Sequence, residues 1–200
     1  TTRFTQFRDC TFTIRHVGPD GTARRPPCAF IDVVSAGESG GLMFDSRPLL
    51  GDAPTIWLED CIARGQATFV RADTAVPFSF SWEHGLFAST ERLIEVGGTI
   101  FEPLWEHGGV SVFLKRLLSA ADQGICLVRS DHLAPYQLAT SIRCNECLVA
   151  TKATIPATPL YVLRRASVIA YDTVPLMIEG ERNYYKNTKL VLLVETDGEP

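Results

Sequence analysis

Apolar and polar residues alternate in several short stretches of this chain. The clearest case is segment 76–82, whose large apolar side chains share one side of an extended chain: Val76, Phe78, Phe80 and Trp82. The residues between them include Ser79 and Ser81. This period of two is typical of a strand with one face in a core and the other in water. Together with the apolar residues that precede the break at 71–74, the pattern predicts two strands within 62–82.

Other short segments rich in β-branched and aromatic residues follow, with Gly, Pro, Asn or Asp between them. They are 10–16, 28–34, 55–58, 67–70, 125–129, 138–143, 148–155, 161–171, 174–178 and 190–195. No internal repeat of fixed period joins them. Many short strands with turn signals between them favour a sandwich or barrel over a parallel βαβ sheet. We therefore expect one mainly β domain over 1–200, built as an antiparallel β-sandwich or barrel.

One segment has the apolar period of a helix. In 110–121 the spacing i, i+3, i+4, i+7, i+8 is occupied by Val110, Phe113, Leu114, Leu117 and Leu118. Gly124 follows as a stop signal. The pattern predicts an amphipathic helix packed on the β domain, with Phe113, Leu114, Leu117 and Leu118 buried.

The composition of the chain excludes some partners. Its formal net charge is −4 and its pI about 5.6, so tight binding to nucleic acid is not expected. The longest apolar runs, 125–128 and 190–194, are only strand-sized, and the start of the sequence has no apolar signal region. We expect neither a membrane-spanning segment nor a secretory signal.

A serine in a glycine-rich stretch is the sharpest candidate for catalysis. Gly37-Glu38-Ser39-Gly40-Gly41 matches the G-x-S-x-G pattern of an exposed nucleophile and resembles the GDSGG signature of chymotrypsin-like proteases. The chain order offers no His–Asp pair to activate Ser39. A serine hydrolase using Ser39 stays an alternative function, and we assign no catalytic residue and expect the protein not to be an enzyme.

Cysteine and histidine spacing gives a weak indication of metal. Cys144 and Cys147 form a C-x-x-C pair that could supply half of a zinc site. Cys10 and Cys28 could complete it if the N-terminal hairpin lay beside them. The six cysteines are expected to be reduced and mostly buried, and the four histidines show no metal-ligand spacing: His16, His84, His107 and His132. We expect no metal and no cofactor.

A basic pair at the N-terminal side suggests another alternative. Arg24-Arg25 precede a strand and a turn that begins at Asp32, and this order loosely resembles PilZ-type cyclic-dinucleotide modules. The resemblance implies a ligand-binding barrel using Arg24 and Arg25. A second pair, Arg164-Arg165, has the character of a solvated or ion-paired surface.

A further resemblance rests on short motifs that together cover about a third of the chain. It is carried by Thr5–Ile14, by Ala63-Arg64-Gly65-Gln66, by Arg71, Asp73 and Pro77, and by the 78–82 strand. These stretches are similar to tail tube proteins of long-tailed bacteriophages. The resemblance implies a β-sandwich closed by a helix, and hexameric rings.

The expected function follows from this resemblance and from the acidic charge, which would repel DNA in a tube lumen. We expect a structural subunit of a virion, assembled in the host cytoplasm. Its partners would be identical subunits in a ring and other virion proteins, joined through β-edges and two arms, 37–45 and 182–187. A capsid subunit of the jelly-roll type fits the same features.

Overall fold

The structure of the chain is a computed structural model. The structure describes residues 4–14, 28–34, 53–73, 76–98, 108–151, 158–166, 176–188 and 191–197. Within these ranges all the regular elements are strands, and every strand pairing is parallel. The expected antiparallel sandwich or barrel is therefore wrong, and so is the expected helix.

In the described part of the chain, fifteen strands form two sheets. The larger sheet contains β1 (Phe4–Arg8), β2 (Thr11–Ile14), β4 (Thr55–Gly65), β6 (Phe78–Ser89), β8 (Val110–Ala121), β10 (Thr140–Asn145), β11 (Leu148–Ala150), β13 (Leu176–Glu181) and β14 (Tyr184–Lys186). The smaller sheet contains β3 (Ala29–Asp32), β5 (Thr68–Ala72), β7 (Ile94–Val96), β9 (Cys126–Arg129), β12 (Tyr161–Ala166) and β15 (Leu192–Asp197).

The chain alternates between the two sheets and returns one strand further along each time. Each pass through the larger sheet and then the smaller one makes a rung, and the described strands make six rungs. The result is a parallel β-helix, a solenoid in which each rung contacts only its neighbours. Parallel strands need a crossover connection, and here the second sheet provides it instead of a helix. Turn signals between strands therefore did not reveal the strand direction.

The rungs differ in length, which hides the repeat in the sequence. Along one row of the larger sheet, stacked residues are Phe4, Thr55, Ser79, Ser111, Ser141 and Met177. Successive members are 51, 24, 32, 30 and 36 residues apart. No fixed period connects them, although the structural repeat is regular.

Strand β8 occupies the segment expected to be helical. Its core-facing residues are Val110, Val112, Leu114, Leu117, Ser119 and Ala121, so the alternation changes phase between Leu114 and Leu117. Val110, Leu114, Leu117 and Ala121 consequently fall at the spacing of a helical face. Burial was correctly expected for Leu114 and Leu117 and wrongly for Phe113, which is half-buried, and Leu118, which points outward.

The phase change has a backbone cause. Arg116, between the two halves of β8, has a φ of 51°, in the left-handed region. This residue turns the chain at a corner, so that Leu114, two residues before it, and Leu117, directly after it, both face the core. The same corner occurs in the larger sheet in all six rungs, and β1 and β2, β10 and β11, and β13 and β14 are pairs separated by it.

Aromatic side chains fill the core of the first three rungs. Phe69 packs on Trp82 with ring centroids 4.7 Å apart and also contacts Phe12, Phe80 and Phe87. Such pairs each stabilise by about 0.5–1.5 kcal/mol beyond their buried area. Val76, Phe78, Phe80 and Trp82 are buried together, which confirms the alternation read from 76–82.

The phase change in β8 can be tested with two neighbouring leucines. Leu117→Ala should lower the free energy of unfolding by about 2–5 kcal/mol because it leaves a cavity in a packed core. Leu118→Ala should cost less than about 1 kcal/mol, because the Leu118 side chain is 42% exposed. Denaturant unfolding of dilute protein measures both. Equal costs would contradict the corner at Arg116.

Candidate functional site

A column of polar side chains runs along the corner of the solenoid. The left-handed residue of each rung lies level with that of the next: Asp9, Asp60, His84, Arg116, Glu146 and Arg182. Neighbouring rungs are about 4.8 Å apart, so these side chains are within reach of one another. We call this column the corner ladder.

Opposite charges pair within the corner ladder. The Glu146 carboxylate accepts from Arg116 at 2.7 Å and lies 2.8 Å from the Arg182 guanidinium. The hydrogen bond from Arg116 is the main cause that lowers the pKa of Glu146. Nη1 of Arg116 lies 3.2 Å from Nε2 of His84. A guanidinium can only donate, so Nε2 of His84 is the acceptor in this contact.

The row before the corner ladder is also paired. Arg8 and Glu59 form a contact of 2.6 Å, and Lys115 lies 3.5 Å from Glu83 on the next two rungs. These pairs lie at the surface, where such a pair alone contributes little to stability.

Just beyond the corner ladder, an outward-facing row is apolar. Its stacked members are Ile62, Leu86, Leu118, Leu148 and Tyr184. Four of them count among the exposed large hydrophobic residues of the described chain, and Leu86 is half-buried. We call this row the apolar stripe. It crosses five rungs, a length of roughly 19 Å between its first and last strands.

A row of small residues lies beside the apolar stripe. Two positions further along the same strands, Ala88, Ala120 and Ala150 also point outward. Arg64 and Lys186 stand at the two ends of this alanine row. The face therefore has a ridge of large side chains next to a shallow groove.

The core is open at the sixth rung. Tyr185, Leu192 and Val194 face the core but are 41%, 42% and 53% exposed. Their neighbours in the fifth rung are Val149, Tyr161 and Leu163, all of them buried. The difference arises because a rung stacks on the fifth but not on the sixth among the described residues. Among the described strands, β13, β14 and β15 of the sixth rung are edge strands of the two sheets.

Several predicted site residues lie outside the described residues. They are Ser39 and the glycines around it, Arg24, Arg25, His16 and His107, together with the arm 37–45. The other expected arm, 182–187, is not an extended arm. It consists of the corner residue Arg182, strand β14 and the residues beside them, so it belongs to the sixth rung.

Cys144 and Cys147 lie on either side of the corner residue Glu146, and both face the core. Sγ of Cys144 is 3.7 Å from Oη of Tyr161, and the Cys147 thiol donates to the Leu114 carbonyl at 3.5 Å. Burial raises the pKa of Cys144 to about 12 and also raises that of Cys147. Metal binding requires thiolates, which this environment disfavours.

The proposed second half of a zinc site does not come near this pair. Cys10 belongs to the first rung and lies beside Cys61 of the second rung. Cys147 belongs to the fifth rung. Four rung spacings separate them by roughly 19 Å. The six cysteines, all in the described ranges, form no disulfide, and no group of three His, Cys, Asp or Glu in these ranges is arranged to hold a metal.

Two residues that carry the resemblance to phage proteins, Arg71 and Asp73, form ion pairs on the surface of the solenoid. Arg71 bonds to Asp32 at 2.9 Å on the outer face of the smaller sheet, and Asp73 lies 3.3 Å from Arg129. Arg164, from the second basic pair, bonds to Glu195 at 2.8 Å. These arginines are ion-paired, as the sequence suggested for Arg164. The sandwich and helix that the resemblance implied are absent from the described residues.

His132 lies in a turn between β9 and β10. The carboxylate of Asp131 accepts hydrogen bonds from the backbone N–H groups of Leu133 and Ala134, at 2.8 and 2.9 Å. These bonds lower the pKa of Asp131. The arrangement accounts for the turn, and His132 projects from it as an exposed residue.

No helix in the described ranges has the length and apolarity to span a membrane.

The sequence pattern did not reveal the apolar stripe, because neighbouring members of the stripe are 24 to 36 residues apart in the sequence. Each is one apolar residue at an apparently ordinary position. One feature of the sequence did indicate an exposed apolar residue in this row. Leu117 and Leu118 are adjacent, and a strand that places one of them in the core must expose the other.

Glu146 should make stability depend on pH. Its lowered pKa means that the ionised carboxylate stabilises the fold at pH values above the ordinary carboxyl pKa, and that this contribution is lost as the pH falls through the lowered value. Glu146→Gln should therefore lower the melting temperature at pH 7, with a deficit that disappears in acid. Thermal unfolding from pH 7 to below the lowered pKa of Glu146 measures it, with Asp60→Asn, an exposed carboxylate at the corner of the second rung, as the control. A deficit that persists unchanged in acid would contradict the ion-pair assignment.

Comparison with family models, with curated proteins and with solved structures found no match. The resemblance to tail tube proteins therefore gains no independent support, and a functional proposal must start from the geometry of the solenoid.

Proposed function

We propose that this chain is a structural subunit, without catalytic activity, that assembles with identical copies by stacking the first rung of one solenoid on the sixth rung of another. The observation that carries the proposal is the open core at Tyr185, Leu192 and Val194. Side chains of this kind are buried wherever another rung covers them.

The two ends match in apolar residues when they are stacked in the register that the solenoid uses internally. Phe4 of one copy would follow Met177 of the other in the same outward row. In the smaller sheet, Ile31 would cover Leu192. Phe4, Met177 and Leu192 are all exposed large hydrophobic residues. Their burial is favourable at about 25 cal/mol per Å² of apolar surface.

Charges match in the same register. Arg8 would lie beside Glu181, and Asp9 beside Arg182 on the corner ladder. Like charges at these positions would oppose stacking, whereas opposite charges favour this register over its neighbours. Backbone N–H and C=O groups of the two edge strands would pair as they do between internal rungs.

This contact joins different surfaces of the two copies. Such a heterologous contact grows into a filament unless its rotation closes a ring. The proposal keeps the expected class of self-assembling structural subunit and the expected role of β-edges. The virion as the place where the protein acts, and other virion proteins as its partners, stay predictions that rest on the N-terminal resemblance.

Stacking should be abolished by a charge in the open core. Val194→Lys places an ammonium group where a stacked rung would bury it, at a desolvation cost that prevents association. Sedimentation velocity over a concentration series should show large oligomers for the original chain and their loss in the variant. Ser111→Lys, which adds the same charge on an exposed site in the fourth rung, is the matched control. An original chain that forms no oligomers larger than a dimer at high concentration would refute the proposal.

Cross-linking tests the register of the stacked ends. A mixture of Phe4→Cys and Met177→Cys chains should form disulfide-linked pairs containing one chain of each kind, because stacked neighbours on adjacent strands lie within reach of a disulfide. A mixture of Gln6→Cys and Met177→Cys chains, displaced by two residues, should link much less. Equal linking in both mixtures would show that the ends do not meet in this register.

A further inference from the structure

We infer that the apolar stripe and the alanine row form a second interaction surface, and that its partner is another copy of this chain lying side by side in the same direction. The surface is separate from the ends of the solenoid. It consists of outward-facing residues on the strand segments after the corner ladder, from the second rung to the sixth. The largest contiguous apolar patch on a protein surface is often an interaction site.

The first argument for a second copy is shape. A two-fold axis parallel to the solenoid, placed between the two rows, puts the ridge of each copy over the groove of the other. Leu118 then faces Ala120 of the other copy, and Leu86 and Leu148 face Ala88 and Ala150. Large residues opposite small ones allow two sheets to interdigitate at the usual spacing of about 10 Å. The same rotation keeps every rung at its own level.

The ends of the face fit the same arrangement. Ile62 would lie over Arg64 of the other copy, and Tyr184 over Lys186. Arg and Lys side chains can cover apolar surface with their methylene stems while their charges stay in water. A cation beside the ring of Tyr184 is itself favourable.

Charge supports this orientation. The opposed orientation, with the two-fold axis parallel to the strands, instead places Leu118 on Leu118 and Ala120 on Ala120. It also places Arg116 on Arg116. That arrangement leaves a gap over the alanine row, and the two Arg116 guanidinium groups repel each other at its centre.

The area of the face sets the expected strength. Five rungs of about 4.8 Å and five strand positions of about 3.3 Å give a face of roughly 400 Å² per copy. A standard stable interface buries about 800 Å² per partner. We therefore expect a weak pair in solution, detectable at high protein concentration.

The test uses chains that cannot stack end to end, so that the two proposals can fail separately. Val194→Lys chains should still form a concentration-dependent dimer in sedimentation equilibrium, and Leu118→Asp in that background should weaken the dimer at least tenfold. Leu133→Asp is the matched control, since Leu133 is an exposed leucine away from the face. Dimers that survive Leu118→Asp, or Val194→Lys chains that remain monomeric at the highest concentrations, would overturn the inference. Neither result would affect end stacking.

Cross-linking in the same background determines the orientation. A short bis-maleimide should link Leu118→Cys chains to Ala120→Cys chains more efficiently than it links Leu118→Cys chains to one another. The chain without added cysteines corrects for reaction at native thiols. Preferential linking between two Leu118→Cys chains would show the opposed orientation and would overturn the parallel pair. Because linking does not require a disruptive substitution, it also holds if Leu118→Asp fails to fold.

Discussion

Parallel hydrogen bonding between rungs is the constraint on which the rest of this structure depends. It fixes neighbouring backbones about 4.8 Å apart and places each side chain directly beside the same position of the next rung. A charge therefore meets another charge, and an aromatic ring another large side chain. Glu146 between Arg116 and Arg182 satisfies this constraint on the surface, and Phe69 beside Phe30 of the neighbouring rung, with ring centroids 5.4 Å apart, satisfies it in the core.

The corner ladder determines how the surface is divided. A single left-handed residue in each rung lets two core-facing positions stand on either side of it, as Cys144 and Cys147 do around Glu146. The outward-facing residues are thereby split into two faces. One carries the ion pairs of the row from Arg8 to Lys115, and the other carries the apolar stripe. A straight strand could not give the two faces such different character within ten residues.

Local features of this fold were readable from the sequence. Alternation at 76–82 correctly gave the buried face of β6, and the apolar character of Leu114 and Leu117 correctly gave their burial. Strand direction was not readable, because turn residues mark where a strand ends and not which strand it pairs with. The helix at 110–121 was predicted wrongly because a strand with one corner residue buries positions that a helix would also bury.

Which residues of different rungs lie side by side could not be predicted from the sequence for a different reason. The partners of Leu118 in its row are 32 residues before it and 30 after it, and connections of unequal length separate the rungs. Only the stacking register turns five scattered apolar residues into a face, and only the burial of Leu163 beside the exposed Val194 shows that Val194 belongs to an open core.

The two proposed contacts differ in symmetry, and the solenoid makes them compatible. End stacking is heterologous and preserves the direction of the chain axis, so it can continue along that axis. Side pairing is isologous and closes after two copies. Because its two-fold axis is parallel to the solenoid, both copies of a pair present the same end in the same direction. A laterally paired unit can therefore stack on another such unit without reversing either solenoid, and the weak side contact would be repeated at every level, which strengthens it through multivalency.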